Sequence, residues 1–165
     1  MIVENRVVSA PRAPSDLLKS SAFLLKRLGM REKERALQAF EPTGFGPYHY
    51  AILSVVDREP SKSQGAIADA LGYDRSQLVG WLDELEDGGL VERKRDPDDR
   101  RRQSVALTPE GKKALARFRA ITEQLEDELL APLDERQRTV LHELLLELAA
   151  YHDPRCAPAG GTATP

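Results

Sequence analysis

The chain has 165 residues, of which 41% are hydrophobic and 31% charged, with a formal net charge of −3 and a pI near 5.7; that composition suits one sizeable core or two small ones. No apolar run approaches the roughly 20 residues needed to cross a bilayer, and Met1-Ile2-Val3-Glu4-Asn5-Arg6 lacks the basic-then-apolar order of a secretory signal, so no membrane role and a cytoplasmic location are expected. The single Cys156 excludes an internal disulfide.

Residues 1–14 hold two prolines and no periodicity, which predicts a loose arm. Ser15 is the expected cap of a helix carrying Leu17, Leu18, Phe23, Leu24, Leu25 and Leu28, interrupted at Gly29 and resuming from Met30 to Phe40. Pro42 and Gly44 end it. A third helix is predicted over Tyr48 to Asp57, opened by Gly46-Pro47, with Tyr50, Leu53 and Val56 on its inner face.

Ser61 and Gln64 form an S-x-x-Q pair, the signature of a capping box, so a short helix is expected from about Lys62, with Ile67, Ala68 and Leu71 on one stripe and Gly72 as its stop. Asp74 with Gln77 opens another helix, which runs to Gly88-Gly89. At about 100° per residue, Leu78, Leu82 and Leu85 share its inner side with Trp81 at the edge, while Ser76, Gly80, Asp83 and Glu84 lie opposite. The two-residue link of Tyr73 and Asp74 forces a steep crossing, as in a helix-turn-helix.

Two strand-like runs follow, Leu90 to Arg95 and Arg102 to Leu107, with Leu90, Val105 and Leu107 turned inward and a Pro- and Asp-containing turn between them. Thr108-Pro109-Glu110 then starts a long helix, with Thr as cap, Pro at the first helical position and an acid in the first turn. It carries Leu115, Phe118, Thr122, Leu125 and Leu129, and Pro132 breaks it. Asp134 and Gln137 start the last helix, with Val140, Leu141, Leu144, Leu145, Leu148 and Ala149, ending near Tyr151. The Pro-, Gly- and Ala-rich 153–165 segment is expected to be disordered.

The expected fold is therefore mainly α with a small β-hairpin wing: a winged helix-turn-helix over residues 46–108, flanked by helical regions at 15–45 and 109–152. The outer helices are too apolar for one small domain to cover. Leu144, Leu145 and Leu146 alone place leucine around more than half a turn, and a helix apolar on several sides is usually buried on several sides, which predicts a two-fold homodimer.

Between Arg93 and Arg102 stand six basic residues, Arg93, Lys94, Arg95, Arg100, Arg101 and Arg102, set against Asp96, Asp98 and Asp99. A hairpin tip this rich in arginine suits the negative potential of a narrow minor groove, and the polar start of the helix at Arg75 suits a major groove. Double-stranded DNA is the expected partner. The acidic overall charge does not oppose this, because local clustering of cations decides binding. The acids gather at Glu123 to Glu128, at Asp134 to Glu147 and at the end of the second capped helix, and are expected to lie away from the hairpin.

Catalysis is not expected, since no phosphate loop, nucleophile elbow or zinc-protease signature is present. His49, His142 and His152 are scattered and no Cys/His cluster has ligand spacing, so neither metal nor cofactor is expected. A winged-helix module that binds an acidic protein surface through the same arginines is the alternative from another class.

Asp74-Arg75-Ser76, Leu82-Asp83-Glu84-Leu85-Glu86, Gly89-Leu90-Val91-Glu92-Arg93, Asp96-Pro97, Asp99-Arg100-Arg101 and Leu107-Thr108-Pro109-Glu110-Gly111 occur in the order and spacing of the MarR family of bacterial transcription regulators, which the chain resembles over about Leu17 to Tyr151. That resemblance implies a triangular homodimeric repressor on a near-palindromic operator, with Arg75, Ser76 and Gln77 near base edges and phosphates. It implies that Asp99 steadies Arg101 in the minor groove, beside Arg95, Arg100 and Arg102. It also implies a small aromatic or phenolic effector between the dimer helices and the winged domain, with a wall that includes Phe23, Arg27, Met30, Phe45, Tyr48, His49 and Tyr50; Arg27 and His49 would suit an acidic aromatic. The chain departs from the family at Gly80, where a basic residue is common, and at Trp81, where leucine is usual and which reads as core packing. A metal- or thiol-responsive member is a further alternative, although the peroxide-sensing branch uses a cysteine in the N-terminal helix and residues 15–40 contain none.

Overall fold

A computed structural model of the chain describes residues 12–59, 62–95 and 103–157. Helix α1 (Ser15–Leu18) is a single turn, followed by α2 (Ser21–Phe40), a 3-10 turn (Glu41–Thr43) and α3 (Pro47–Arg58). Strand β1 (Lys62–Ser63) leads into α4 (Gln64–Leu71) and α5 (Arg75–Asp87). Strands β2 (Val91–Arg95) and β3 (Gln103–Leu107) precede α6 (Pro109–Leu130), α7 (Glu135–His152) and a last 3-10 turn (Pro154–Cys156).

The helix starts follow local capping chemistry. Asp74 accepts the Ser76 and Gln77 N–H groups at the head of α5, Thr108 accepts from Gly111 N–H at α6, and Asp134 and Gln137 cap each other reciprocally at α7. Each satisfies donors that a helix start leaves unpaired. Two starts differ from expectation. In the N-terminal region the chain breaks at Lys19-Ser20, where Ser20 caps α2 by accepting from Phe23 N–H, and Gly29 lies inside an unbroken helix; one glycine costs only about 1 kcal/mol against alanine. At α4 the cap is Ser63, which accepts from Ala66 N–H, because Lys62 and Ser63 are taken up by pairing with Val105 and Ser104. Ser61 lies outside the described residues.

That pairing makes the sheet three-stranded, in the order β1-β3-β2 and all antiparallel, rather than the simple hairpin expected. Strands β2 and β3 run in register from Val91 opposite Leu107 to Arg95 opposite Gln103. One core joins Ile52, Leu53 and Val56 of α3, Ile67 and Ala68 of α4, Leu78, Leu82 and Leu85 of α5, Val91 and Val105 of the sheet, Leu115 and Phe118 of α6, and Phe40. Leu90 is buried as expected, whereas Leu107 is half-buried at the core's edge.

The rest of the molecule stands outside that core. Phe40 is the only buried residue of α2, burial in α6 stops at Phe118, and α7 has none. Leu24, Leu28, Leu144 and Leu148 remain 42%, 49%, 55% and 51% exposed. The backbone of 153–157, expected to be structureless, instead forms the last 3-10 turn, capped by Asp153.

Candidate nucleic-acid interface

Helix α5 presents its first turn to solvent: Arg75, Ser76 and Gln77 are all exposed. Asp74 organises it. Its Oδ1 accepts from Ser76 N–H at 2.8 Å and Gln77 N–H at 3.2 Å, and also from the Ser76 hydroxyl. These bonds, the Ser76 hydroxyl foremost, hold the Asp74 carboxyl below its usual range. Arg75 lies 3.6 Å from Asp69 of α4, a pair that spans both helices of the helix-turn-helix. Farther along the same face Val79 is 42% exposed, and a side chain at Gly80 would meet open space. Val79 was not among the residues singled out above. Its helical spacing from Ser76 and Asp83 was the available signal.

The wing is joined to α5 by a clamp that the sequence did not reveal. Arg93 N–H donates to Glu86 Oε1 at 3.1 Å and Arg93 Nε donates to Glu86 Oε2 at 2.8 Å, while Arg93 Nη2 reaches Asp83 Oδ1 at 2.6 Å. Arg93 is only 19% exposed. Hydrogen bonding by Arg93 lowers the Glu86 pKa, and the same pair raises that of Arg93. Two acids at the end of α5 therefore meet the base of the hairpin instead of lying away from it, and Arg93 leaves the set of free wing cations.

Arg95 ends β2, where its backbone pairs with Gln103. Asp99, Arg100, Arg101 and Arg102, and the Arg95 side chain, lie outside the described residues. The wing's other root is packed tightly against α6. The Thr108 hydroxyl donates to Gly89 O at 2.7 Å and Thr108 N–H to Leu90 O at 3.1 Å. A Cβ on Gly111 would sit 1.9 Å from Leu90 O, so only glycine admits this approach.

Of the aromatic and basic residues expected around an effector, Phe45, Tyr48 and His49 form the contact with α5. Phe45 packs edge-on to His49 at 5.3 Å and covers Gly88. Tyr48 stacks on Trp81 with ring centroids 4.7 Å apart and planes 8° apart, and Tyr73 meets the same indole edge-on. Tyr50 lies 6.3 Å from Phe40. His49 is buried; its Nδ1 accepts from Gly46 N–H at 2.8 Å, which caps α3. Its Nε2 lies 2.9 Å from Glu84 Oε2, yet without the alignment of a hydrogen bond. Burial lowers the His49 pKa, with Glu84 opposing, and the Nδ1 lone pair is needed in the neutral form.

Phe23, Arg27 and Met30 belong to a different surface of the chain. Phe23 is half-buried near the start of α2, while Arg27 and Met30 line a shallow cleft of about 380 Å³ with Leu28, Arg31 and Glu34. One chain does not bring the two groups together around a described cavity. A separate, mainly apolar groove of about 330 Å³ lies between α2, α6 and α7 and is lined by Ala36, Leu125, Leu129, Leu141 and Leu145 among others. Among the described residues no cluster of three or more His, Cys, Asp or Glu could hold a metal, and no helix is long and apolar enough to cross a membrane.

Residues 43–102 match the MarR family profile. A regulatory protein ascribed to the hcr operon of Thauera aromatica is 37% identical over 105 residues, 64% of this chain and 63% of that protein; the match thus spans under two thirds of that relative. The transcriptional repressor CouR bound to a 23-mer DNA duplex superposes with a TM-score of 0.77 at 32% identity, covering 85% of this chain and 99% of that one. CouR from Rhodococcus jostii RHA1 bound to p-coumaroyl-CoA gives 0.72 at 30% identity, over 86% and 97% of the two chains. With the winged helix-turn-helix and its capped α5 in place, the chain belongs to the MarR family of DNA-binding transcription regulators.

Proposed function

We infer that the protein is a homodimeric, ligand-responsive repressor that sets α5 of each subunit into successive major grooves of a near-palindromic operator. The observation that carries this reading is the exposed first turn of α5, on a helix whose far end is held to the wing by the Arg93–Glu86 clamp. Arg75 would approach phosphates and Gln77 base edges, with Val79 against a thymine methyl. Arg95, Arg100, Arg101 and Arg102 would follow the minor groove, with Asp99 orienting Arg101. A second copy of the chain would cover the apolar faces of α2 and α7. Each half-exposed leucine then gains about 1 kcal/mol on burial.

An acidic aromatic effector fits the same design. CouR is seen with p-coumaroyl-CoA, and here Phe45, Tyr48 and His49 rest directly on α5. A ligand that wedges between that contact and the Phe23, Arg27 and Met30 surface of α2, with Tyr50 at its margin, would favour a lobe spacing that no longer matches the grooves. It acts only through its different affinity for the two arrangements.

The test is footprinting of the protein on its own upstream DNA across a salt series, with and without aromatic acids and their CoA thioesters. Two protected half-sites about 10 base pairs apart, lost on addition of one such compound, are expected. Absence of binding to any duplex even at low salt would favour the protein-partner reading instead.

A further inference from the structure

The last 3-10 turn places one side chain on the helix-turn-helix itself. Arg155 is fixed in a fork on Asp153, with Nε donating to Oδ1 at 2.8 Å and Nη2 to Oδ2 at 2.9 Å, while its own N–H donates to the same carboxylate at 3.0 Å. The guanidinium fills the space that a side chain on Gly72 would take: a Cβ there would lie 2.0 Å from Nη1 and 2.6 Å from Cζ. Gly72 closes α4 in the left-handed region, at φ 66°. It stands two residues before Asp74, the cap of α5.

The chemistry of that seat favours a cation. The end of α4 presents carbonyl oxygens and the negative end of the helix dipole, and α4 has no basic residue of its own in its last turn. We propose that Arg155 is a positioning residue for DNA reading, a clasp by which the far end of α7 holds the Gly72-Tyr73-Asp74 turn and so the angle of α5. The idea rests on the regulator reading above. It gives the helical outer layer a second hold on the reading head besides α6, applied at the pivot between α4 and α5. The carboxylate of Asp153 already occupies both Nε and Nη2, which argues for a clasp rather than a phosphate contact.

The experiment uses the full-length protein and the variants Arg155→Ala, Asp153→Asn and Gly72→Asn, since asparagine tolerates the left-handed backbone while its side chain displaces the guanidinium. Amide hydrogen exchange of the free protein at 73–78, where Tyr73 N–H is bonded to Ala68 O and Leu78 N–H to Asp74 O, is compared with exchange in the middle of α7. Affinity is measured for a duplex selected from a randomised pool. All three variants are expected to speed exchange at 73–78 by roughly 2- to 5-fold, the scale on which one largely exposed charged contact acts, with middle-α7 exchange unchanged. Affinity for the selected duplex should fall by a similar factor without a change in salt slope. Unaltered exchange at 73–78 overturns the clasp. A salt slope reduced by about one in Arg155→Ala also overturns it, in favour of a phosphate contact. Failure of the unmodified protein to bind any duplex would defeat the regulator reading alone, because the exchange comparison needs no DNA.

Discussion

Arg93 of β2 and Glu86 of α5 are joined through three hydrogen bonds, from the arginine backbone N–H, Nε and Nη2. The wing and α5 are thereby one unit, although the partners stand seven positions apart in sequence. An arginine that a charge count assigns to DNA is instead spent on geometry, and the acids facing it give the clamp its direction.

Replacing Arg93 with alanine should therefore lower stability by about 1–3 kcal/mol, the usual range for charged hydrogen bonds left unmade, and should loosen the wing. Urea unfolding measures the first effect and DNA affinity the second. The pH dependence has a definite sign. Glu86 has a folded-state pKa below its ordinary 4.5, so its contribution is complete above 4.5 and disappears as pH falls through the lower folded value. Glu86→Gln should flatten that acid limb, and an unchanged limb would remove the clamp from the stability account.

His49 titrates in a different window. Its folded pKa is lowered from 6.5 by burial, so the protein should be most stable above 6.5 and lose stability as pH drops from there through the folded value. Protonation also puts a hydrogen on Nδ1, where Gly46 N–H already points. His49→Gln keeps the cap, as Gln137 does for Asp134 at 3.0 Å, but cannot titrate. Urea midpoints measured from pH 8 to 5 should slope for the natural protein and lie flatter for the variant.

Two glycines of the winged domain should respond oppositely to alanine. Gly111→Ala drives a methyl into Leu90 O, and because backbone must move, a loss of about 1–3 kcal/mol is expected, together with weaker DNA binding through the displaced wing root. Gly80→Ala places its methyl in open space in mid-helix, where a gain of about 0.5–1 kcal/mol is expected. Thermal unfolding of both variants decides; equal shifts would contradict the close approach at Leu90.

The outer helices carry the prediction of assembly. Leu144 is 55% exposed in the single chain, so Leu144→Glu leaves an isolated subunit nearly undisturbed but sets a charge into a dimer contact. Light scattering should report a dimer for the natural protein and a smaller species for the variant, with the circular dichroism of the two alike. An identical mass for both would place the interface elsewhere.

Most of the framework was legible because its signals are local. Asp74, Thr108 and Asp134 each cap a helix using atoms two or three residues away, and the inner stripe Leu78, Leu82 and Leu85 is buried as the helical period requires. What stayed hidden depends on remote partners. Ser63 rather than Ser61 caps α4 because β1 pairs with a strand some 40 residues on. The burial of His49, the capture of Arg93 and the seat of Arg155 each depend on an element the local pattern does not name. Within the described residues, the expected reading turn is exposed as one surface, but the residues expected around an effector are divided between α2 and the region of α3.

Variants at Arg101 and Gln77 would separate the two kinds of contact expected of a reader of duplex DNA. Arg101→Ala removes a cation from the expected minor-groove tip, so binding to most sequences should weaken and the log–log salt slope should fall by about one. Gln77 stands exposed one residue past Ser76 on α5, and its side chain can pair with adenine through both of its ends. Gln77→Ala should therefore shift preference by about 1–3 kcal/mol at one base pair while leaving the slope intact. Affinity measured on a panel of single-base operator variants at two salt concentrations distinguishes them. Uniform losses across the panel for Gln77→Ala would assign that residue to phosphates, and an unaltered slope for Arg101→Ala would take the wing tip out of the electrostatic contact.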